Sequence, residues 1–242
     1  MSKKQVKLFP PLRGVYVDLS KVPDPVFAEK MVGDGFAIDP LENVLYSPID
    51  GKIKSIHRAK HAITLESESG FDILIHIGLE TVSLGGKGFD VKVKEGQLVK
   101  VGDKLTEFDM DYIAGNVVAL ITPVLVTDME EKQISIDILP HGVVTDLNQA
   151  IMLVTLGGEK AAQLADTSVA PVVASLESEL ITIPNTHGIH ARPAAQLNAI
   201  ARKYPNNEIL MLKGEQSANV KSVVSLLSLS VQYQDQIKIL VK

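Results

Sequence analysis

"FDILIHIGLETV", residues 71–82, alternates with period two: Phe71, Ile73, Ile75 and Ile77 fall on one face of an extended strand, Asp72, Leu74 and His76 on the other. The apolar face belongs in a core, which turns His76 away from it, to a side where a histidine is more often plain surface than chemistry. Gly78 permits close backbone approach just beyond, and Glu80 stands near enough to contact a neighbour.

Working outward, residues 12 to about 155 are dense in such short runs, among them "RGVYVDL", "NVLYSPIDGKIKSI", "HAITLES", "TPVLVTD" and "QISIDILP". Glycine-bearing reversals such as "PIDGKI" and "KVGDKL" separate them. Many short strands at close spacing predict an all-β sandwich or barrel, with brief helices only at 25–31 and 109–115. From 157 to 177 alternation gives way to Ala, Ser, Gly and Pro, the composition of a linker. Beyond it the order is β-α-β-α-β, a small α/β domain, with Leu197, Ile200, Ala201 and Tyr204 at helical spacing in its first helix, 191–204. The expected division is 1–156, a linker 157–177 and 178–242.

Composition narrows the function. With 242 residues, 45% of them hydrophobic, the chain can bury two cores. Its net charge of −5, with no long lysine or arginine run, lacks the footprint of a nucleic-acid binder. No cysteine means no disulfide, thiolate chemistry or sulfur-ligated metal, and suits a reducing compartment, so the cytoplasm is expected. Pro10 and Pro11 interrupt the basic start before a signal-peptide core, and the apolar run 116–126 is too short for a bilayer, so neither secretion by that route nor membrane insertion is expected. There is no P-loop and no dinucleotide fingerprint, and "GGKGF" at 85–89 reads as a turn. No cofactor is expected.

The second domain holds "NTHGIHARPAAQLNAIARK", residues 185–203. His190 takes the cap position, with Ala191, Arg192 and Pro193 in the first turn, where proline costs little. Free amides, the helix dipole and a guanidinium attract an anion, and a neutral imidazole there can accept a phosphoryl group. A plain capping histidine fits the same pattern.

"GIHARPAAQL" resembles the active-site motif of HPr, the histidine phosphocarrier of the bacterial phosphoenolpyruvate-dependent sugar phosphotransferase system, from about Glu179 onward. The resemblance implies that His190 accepts phosphate at Nδ1 and Arg192 steadies it, with no duty for His187. "NVKSVVSLLSL" matches the family's second helix and makes Ser222 the counterpart of a serine that a regulatory kinase modifies in some bacteria. The family has a further helix after the strand matched by "QIKILVK". Its lack here implies either a fragment of a longer polypeptide or an incomplete domain, with exposed apolar residues and partial disorder or packing against something else expected.

The first domain, through "VPDPVFAEKMVGDGFAIDP", "KHAITLESESGFDILIHIGLETV" and "GKGFDVKVKEGQLVKVGDKLTEFD", is similar to the glucose-type enzyme IIA of the same system. That implies His76 as phospho-acceptor at Nε2 and His61 as the partner that hydrogen-bonds the phosphoryl group. This chain has Ala59 where the family often has threonine, and Glu80 where it has aspartate. The missing hydroxyl bears on the orientation of His61.

Together the resemblances imply a cytoplasmic phosphotransferase: enzyme I charges His190, His190 charges His76, and His76 charges a IIB component of a IIB/IIC sugar transporter. The apolar collar around the two histidines is expected from Val26, Phe27, Met31 and Leu74, with Ile189, Ala194 and Leu197 opposite. Two imidazoles also invite a zinc reading, but the motif offers no third ligand, and the four-residue spacing of His57 from His61 on a β-type segment does not guarantee a shared site, so no metal is expected. A rival function is a binding protein that regulates transporters and metabolic enzymes according to its phosphorylation state.

Overall fold

The computed structural model describes residues 4–130, 132–139, 141–157 and 175–242; most of the stretch read as a linker, 158–174, lies outside them. The first unit is built on an eight-stranded antiparallel sheet. Its order is Val143–Val144, Gly14–Asp18, Asp34–Pro40, Thr122–Val126, Asp72–His76, Ala62–Ser67, Gly51–Ile56 and Leu98–Val99. Two three-stranded sheets accompany it, Lys4–Leu8/Met152–Leu156/Ile134–Ile138 and Val44–Tyr46/Lys104–Phe108/Phe89–Val91. Phe71, Ile73, Ile75 and Ile77 enter a core with Leu8, Met152, Leu45 and Phe108, so side chains from all three sheets interdigitate as in a sandwich. Helices α1 (Pro25–Ala28) and α2 (Met110–Ala114) occupy the two brief helical stretches expected.

The second unit is a small α/β fold. Leu176–Glu177, Gln236–Val241, Ile209–Lys213 and Gln216–Asn219 pair antiparallel, and Ile181–Thr182 joins Gln236–Val241. Helices α3 (Ala191–Ala201) and α4 (Val223–Ser228) pack together. Two strands go beyond the β-α-β-α-β reading: Gln216–Asn219 closes a hairpin without apolar alternation, and Leu176–Glu177 falls in the stretch whose composition reads as linker. Leu176, Leu180 and Ile181 are exposed.

Two expectations are corrected. The stripe expected for α3 holds only in part: Ala201 is buried and Leu197 partly so, but Ile200 and Tyr204 are both 56% exposed, Tyr204 beyond the helix end, and the inward face is Ala191, Ala194, Ala195, Asn198 and Ala201. Small side chains let the helix backbone come close to its neighbours, and that close approach outweighs the larger apolar residues one position round. Nor is the His76 side of its strand plain surface: all five residues of Asp72–His76 are buried. Ala37, Ala62, Leu74 and Leu125 on that side join Val26 and Phe27 and, from the second unit, Ile189, Ala191, Ala194 and Val223 in one apolar cluster. The outer face of the sheet is covered by α1 and by the second unit.

Candidate active site

His76 ends its strand, and the turn beyond it fixes its ring. Gly78 at φ +69° aims its carbonyl back at His76 Nδ1, 2.8 Å away; a Cβ there would meet Thr81 Cγ2 at 2.7 Å. A carbonyl only accepts, so Nδ1 carries the proton and Nε2 keeps its lone pair. The ring lies 5.2 Å from that of Phe27. Burial pushes its pKa down to about 4, against the backbone bond to Gly78 and the charge of Asp24.

Strand register brings His61 beside it: Ala62 pairs with His76, and the Ile77 amide donates to the His61 carbonyl at 2.8 Å. The two rings are 4.6 Å apart, nearly edge-on. His61 is 2% exposed and held well below the usual histidine range by burial first and by His76, His57 and His190 next. Its Nδ1 is buried with no hydrogen-bond partner. His57 extends the row, its ring 4.5 Å from that of His61 and its pKa lowered to about 4, mainly by burial. Among the described residues, no three histidine or carboxylate side chains converge as a metal site.

His190 caps α3 in extended conformation without spending its side chain on the cap. Gly188 sets the approach, since at φ +67° a Cβ would fall 2.0 Å from the Val231 carbonyl that accepts from the Ile189 amide. The half-buried imidazole has a lowered pKa, from burial above all, with Glu80 and Asp24 opposing and His187 and Arg192 reinforcing. His187 is exposed, its ring 6.5 Å from that of His190.

The two histidine sites face each other. Phe27, His76 and Glu80 from the first unit and His190, Ala191 and Arg192 from the second line one cavity of about 20 Å³. Arg192 Nη2 donates to Glu80 Oε1 at 2.7 Å and Asp24 Oδ2 at 3.1 Å, while Asp24 Oδ1 accepts from the Val26 amide and so caps α1. Arg202 pairs with Glu130 farther along. Ser222 caps α4, accepting from the Ser225 amide at 3.2 Å, and its hydroxyl donates to Asp128 Oδ2 at 3.0 Å. Of the expected collar, Val26, Phe27, Leu74, Ile189 and Ala194 are buried, with Met31 and Leu197 partly so, in the apolar cluster shared by both units.

Asp24 and Asp128 escape the sequence reading of the site, and His57 enters it only as a metal ligand with no assured place beside His61. Asp24 carried a local signal, an aspartate before the proline that opens a helix. For the other two, the partner is set only by tertiary approach.

Residues 6–132 match the family described as phosphoenolpyruvate-dependent sugar phosphotransferase system, EIIA 1. The chain belongs to that family. Residues 177–242 match the HPr component phosphorylation site of the same system, so an EIIA domain is followed by an HPr domain. The chain is 45% identical over 130 residues to the glucose-specific EIIA component of Staphylococcus epidermidis, covering 54% of this chain and 78% of that protein. The Staphylococcus aureus counterpart is 40% identical over 154 residues, 64% of this chain and 92% of that one. The solved structure of glucose permease IIA from Mycoplasma capricolum superposes with a TM-score of 0.58 at 37% identity, covering 62% of this chain and 96% of that chain. The EIIA fold thus stands on sequence and structure alike, and no helix among the described residues is long and apolar enough to cross a membrane.

Proposed function

We propose that this chain carries phosphate on two histidines and passes it from one to the other without leaving the polypeptide. The units are taken as 1–156 and 178–242, joined by 157–177. Enzyme I, charged by phosphoenolpyruvate, phosphorylates His190; the group moves to His76 and then to the IIB component of a sugar transporter, on the cytoplasmic side. The supporting observation is the shared cavity that brings His190, Arg192 and His76 together.

In the transfer the P–N bond at His190 breaks, its electron pair returns to that imidazole, and the lone pair of His76 Nε2 forms the new P–N bond. The Gly78 carbonyl serves this by holding the His76 proton on Nδ1, so the attacking nitrogen needs no deprotonation. His61, edge-on to His76, offers a ring N–H to the arriving phosphoryl oxygens. Arg192, held by Asp24 and Glu80, keeps α3 in register with the first unit. The apolar collar excludes water, which suits a hydrolysable intermediate and in-line approach.

The test is labelling with enzyme I and labelled phosphoenolpyruvate. Wild type is expected to take acid-labile phosphate on both histidines, His76→Gln on His190 alone, and His190→Ala on neither. An unlabelled wild type overturns the reading.

A further inference from the structure

His57 is a half-buried titratable side chain for which the transfer just described has no use, yet it completes a row of three imidazoles with ring separations of 4.5 and 4.6 Å. Its tautomer is set by the backbone: the Ala59 amide donates to His57 Nδ1 at 3.1 Å, so in the neutral ring the proton sits on Nε2. Burial keeps that ring neutral at pH 7, with a pKa of about 4. Among the described residues no protein group accepts from His57 Nε2–H, which is not one of the buried unpaired atoms. The ring it packs against has an unmet need, since His61 Nδ1 is fully buried and makes no hydrogen bond, the Ala59 backbone only opposing in part the burial that keeps the ring neutral. Residue 59, an alanine, has no side-chain group to fill it. A polar atom buried without a partner is costly to keep so. A donor with no protein acceptor thus packs ring against ring, centroids 4.5 Å apart, beside a buried nitrogen without a partner, and a cavity of about 20 Å³ adjoins both rings.

We infer that His57 is the positioning residue for His61: its Nε2–H donates to His61 Nδ1 when His76 is phosphorylated, fixing His61 as the Nε2–H tautomer that faces the phosphoryl group. A phosphoryl dianion on His76 makes this arrangement the favoured one, because a chain of N–H donors pointing toward the new charge is polarised along its length. Without the donor, His61 can carry its proton on Nδ1 and turn a lone pair toward the phosphate, which repels it. This role for His57 rests on the reading of His76 as acceptor and His61 as its partner.

The experiment separates the two nitrogens of His57 in the full chain. His57→Gln keeps a donor near the Nε2 position; His57→Asn keeps an acceptor near Nδ1 for the Ala59 amide and loses the donor; His57→Phe keeps only ring packing. Each is loaded with phosphoramidate, a small phosphoryl donor to imidazole. The rate of label arrival at His76 is followed with ¹⁵N spectra of the His61 ring. Asn and Phe are expected to slow arrival about tenfold and to give His61 a mixture of tautomers, whereas Gln stays within about twofold of wild type with a single Nε2–H form. If Asn restores the rate and the single tautomer while Gln does not, His57 only anchors the turn and the inference is overturned; unchanged His61 spectra in both Asn and Phe overturn it as well. Wild type that takes no label on His76 is instead a failure of the carrier reading and takes the inference down with it, whereas labelled wild type whose His61 tautomer is the same in every His57 variant overturns the inference alone.

Discussion

At the residue scale the site is governed by one trade. Burying His76 places the nitrogen proposed as nucleophile in a dry contact but denies it protonation, so its folded pKa of about 4 lies below that of an exposed imidazole, about 6.5. Between those values the unfolded chain binds more protons than the folded one. Folding stability therefore holds above pH 6.5 and declines as the pH falls toward 4, by about 3 kcal/mol for His76 alone, with His57 and His61 shifted in the same direction. Urea denaturation at a series of pH values checks this: His76→Gln is expected to flatten the decline by up to that amount, and parallel curves for variant and wild type would refute it. The same shift keeps Nε2 unprotonated, so phosphoryl acceptance at His76 is expected to persist to about pH 5. His76, His61 and His190 are singled out by short motifs, because each motif surrounds its own histidine, and the fold gathers them into the candidate site. His57 and Asp128 could not be, because their significance lies in rings and hydroxyls that arrive from elsewhere in the fold.

At the element scale, the strand Asp72–His76 shows what alternation reveals and what it conceals. Period two assigned Phe71, Ile73 and Ile75 to the sandwich core, where they lie, but the same pattern cannot say whether the opposite face meets water or another unit. Leu74 on that face is 1% exposed because α1 and the second unit lie over it. The α3 stripe misled for a related reason: a helix pressed against both its own sheet and another unit buries its alanines, and hydrophobicity alone ranks those below Ile200 and Tyr204. Helix α4 gives the element-scale prediction. Its cap Ser222 also donates to Asp128, whose pKa is raised by burial first, with Asp72 adding to the rise. Ser222→Ala removes both bonds and is expected to cost about 1 kcal/mol of helix capping, plus the loss of a partner for a buried carboxyl. Ser222→Asp preserves capping but sets a carboxylate against Asp128. Thermal unfolding and a footprint of the contact between units should separate them: Ala lowers the midpoint, and Asp chiefly opens the contact. Equal effects on both readouts would mean the Asp128 contact carries no weight.

At the scale of the whole molecule, the contact between units joins a polar rim to an apolar centre. The ion pairs of Arg192 and Arg202 involve partly exposed side chains and contribute register more than affinity. Adhesion comes from the apolar cluster of both units, with Ala191 at its middle, 7% exposed and lining both small cavities beside His76. Both histidine sites belong to one chain, so even a weak contact between the units is populated in cis. Transfer from His190 to His76 is therefore expected to proceed at a rate independent of protein concentration. Ala191→Leu adds three carbons where the cavities are too small to take them; overpacking of this kind costs about 1–3 kcal/mol. At N1 of α3, leucine leaves the helix itself intact. The strain falls on the contact, so the variant is expected to accept label at His190 normally, pass it to His76 about ten- to a hundredfold more slowly, and depend on dilution. A wild-type rate that falls in proportion to dilution, or an Ala191→Leu rate equal to wild type, would show that the two histidines exchange phosphate between chains.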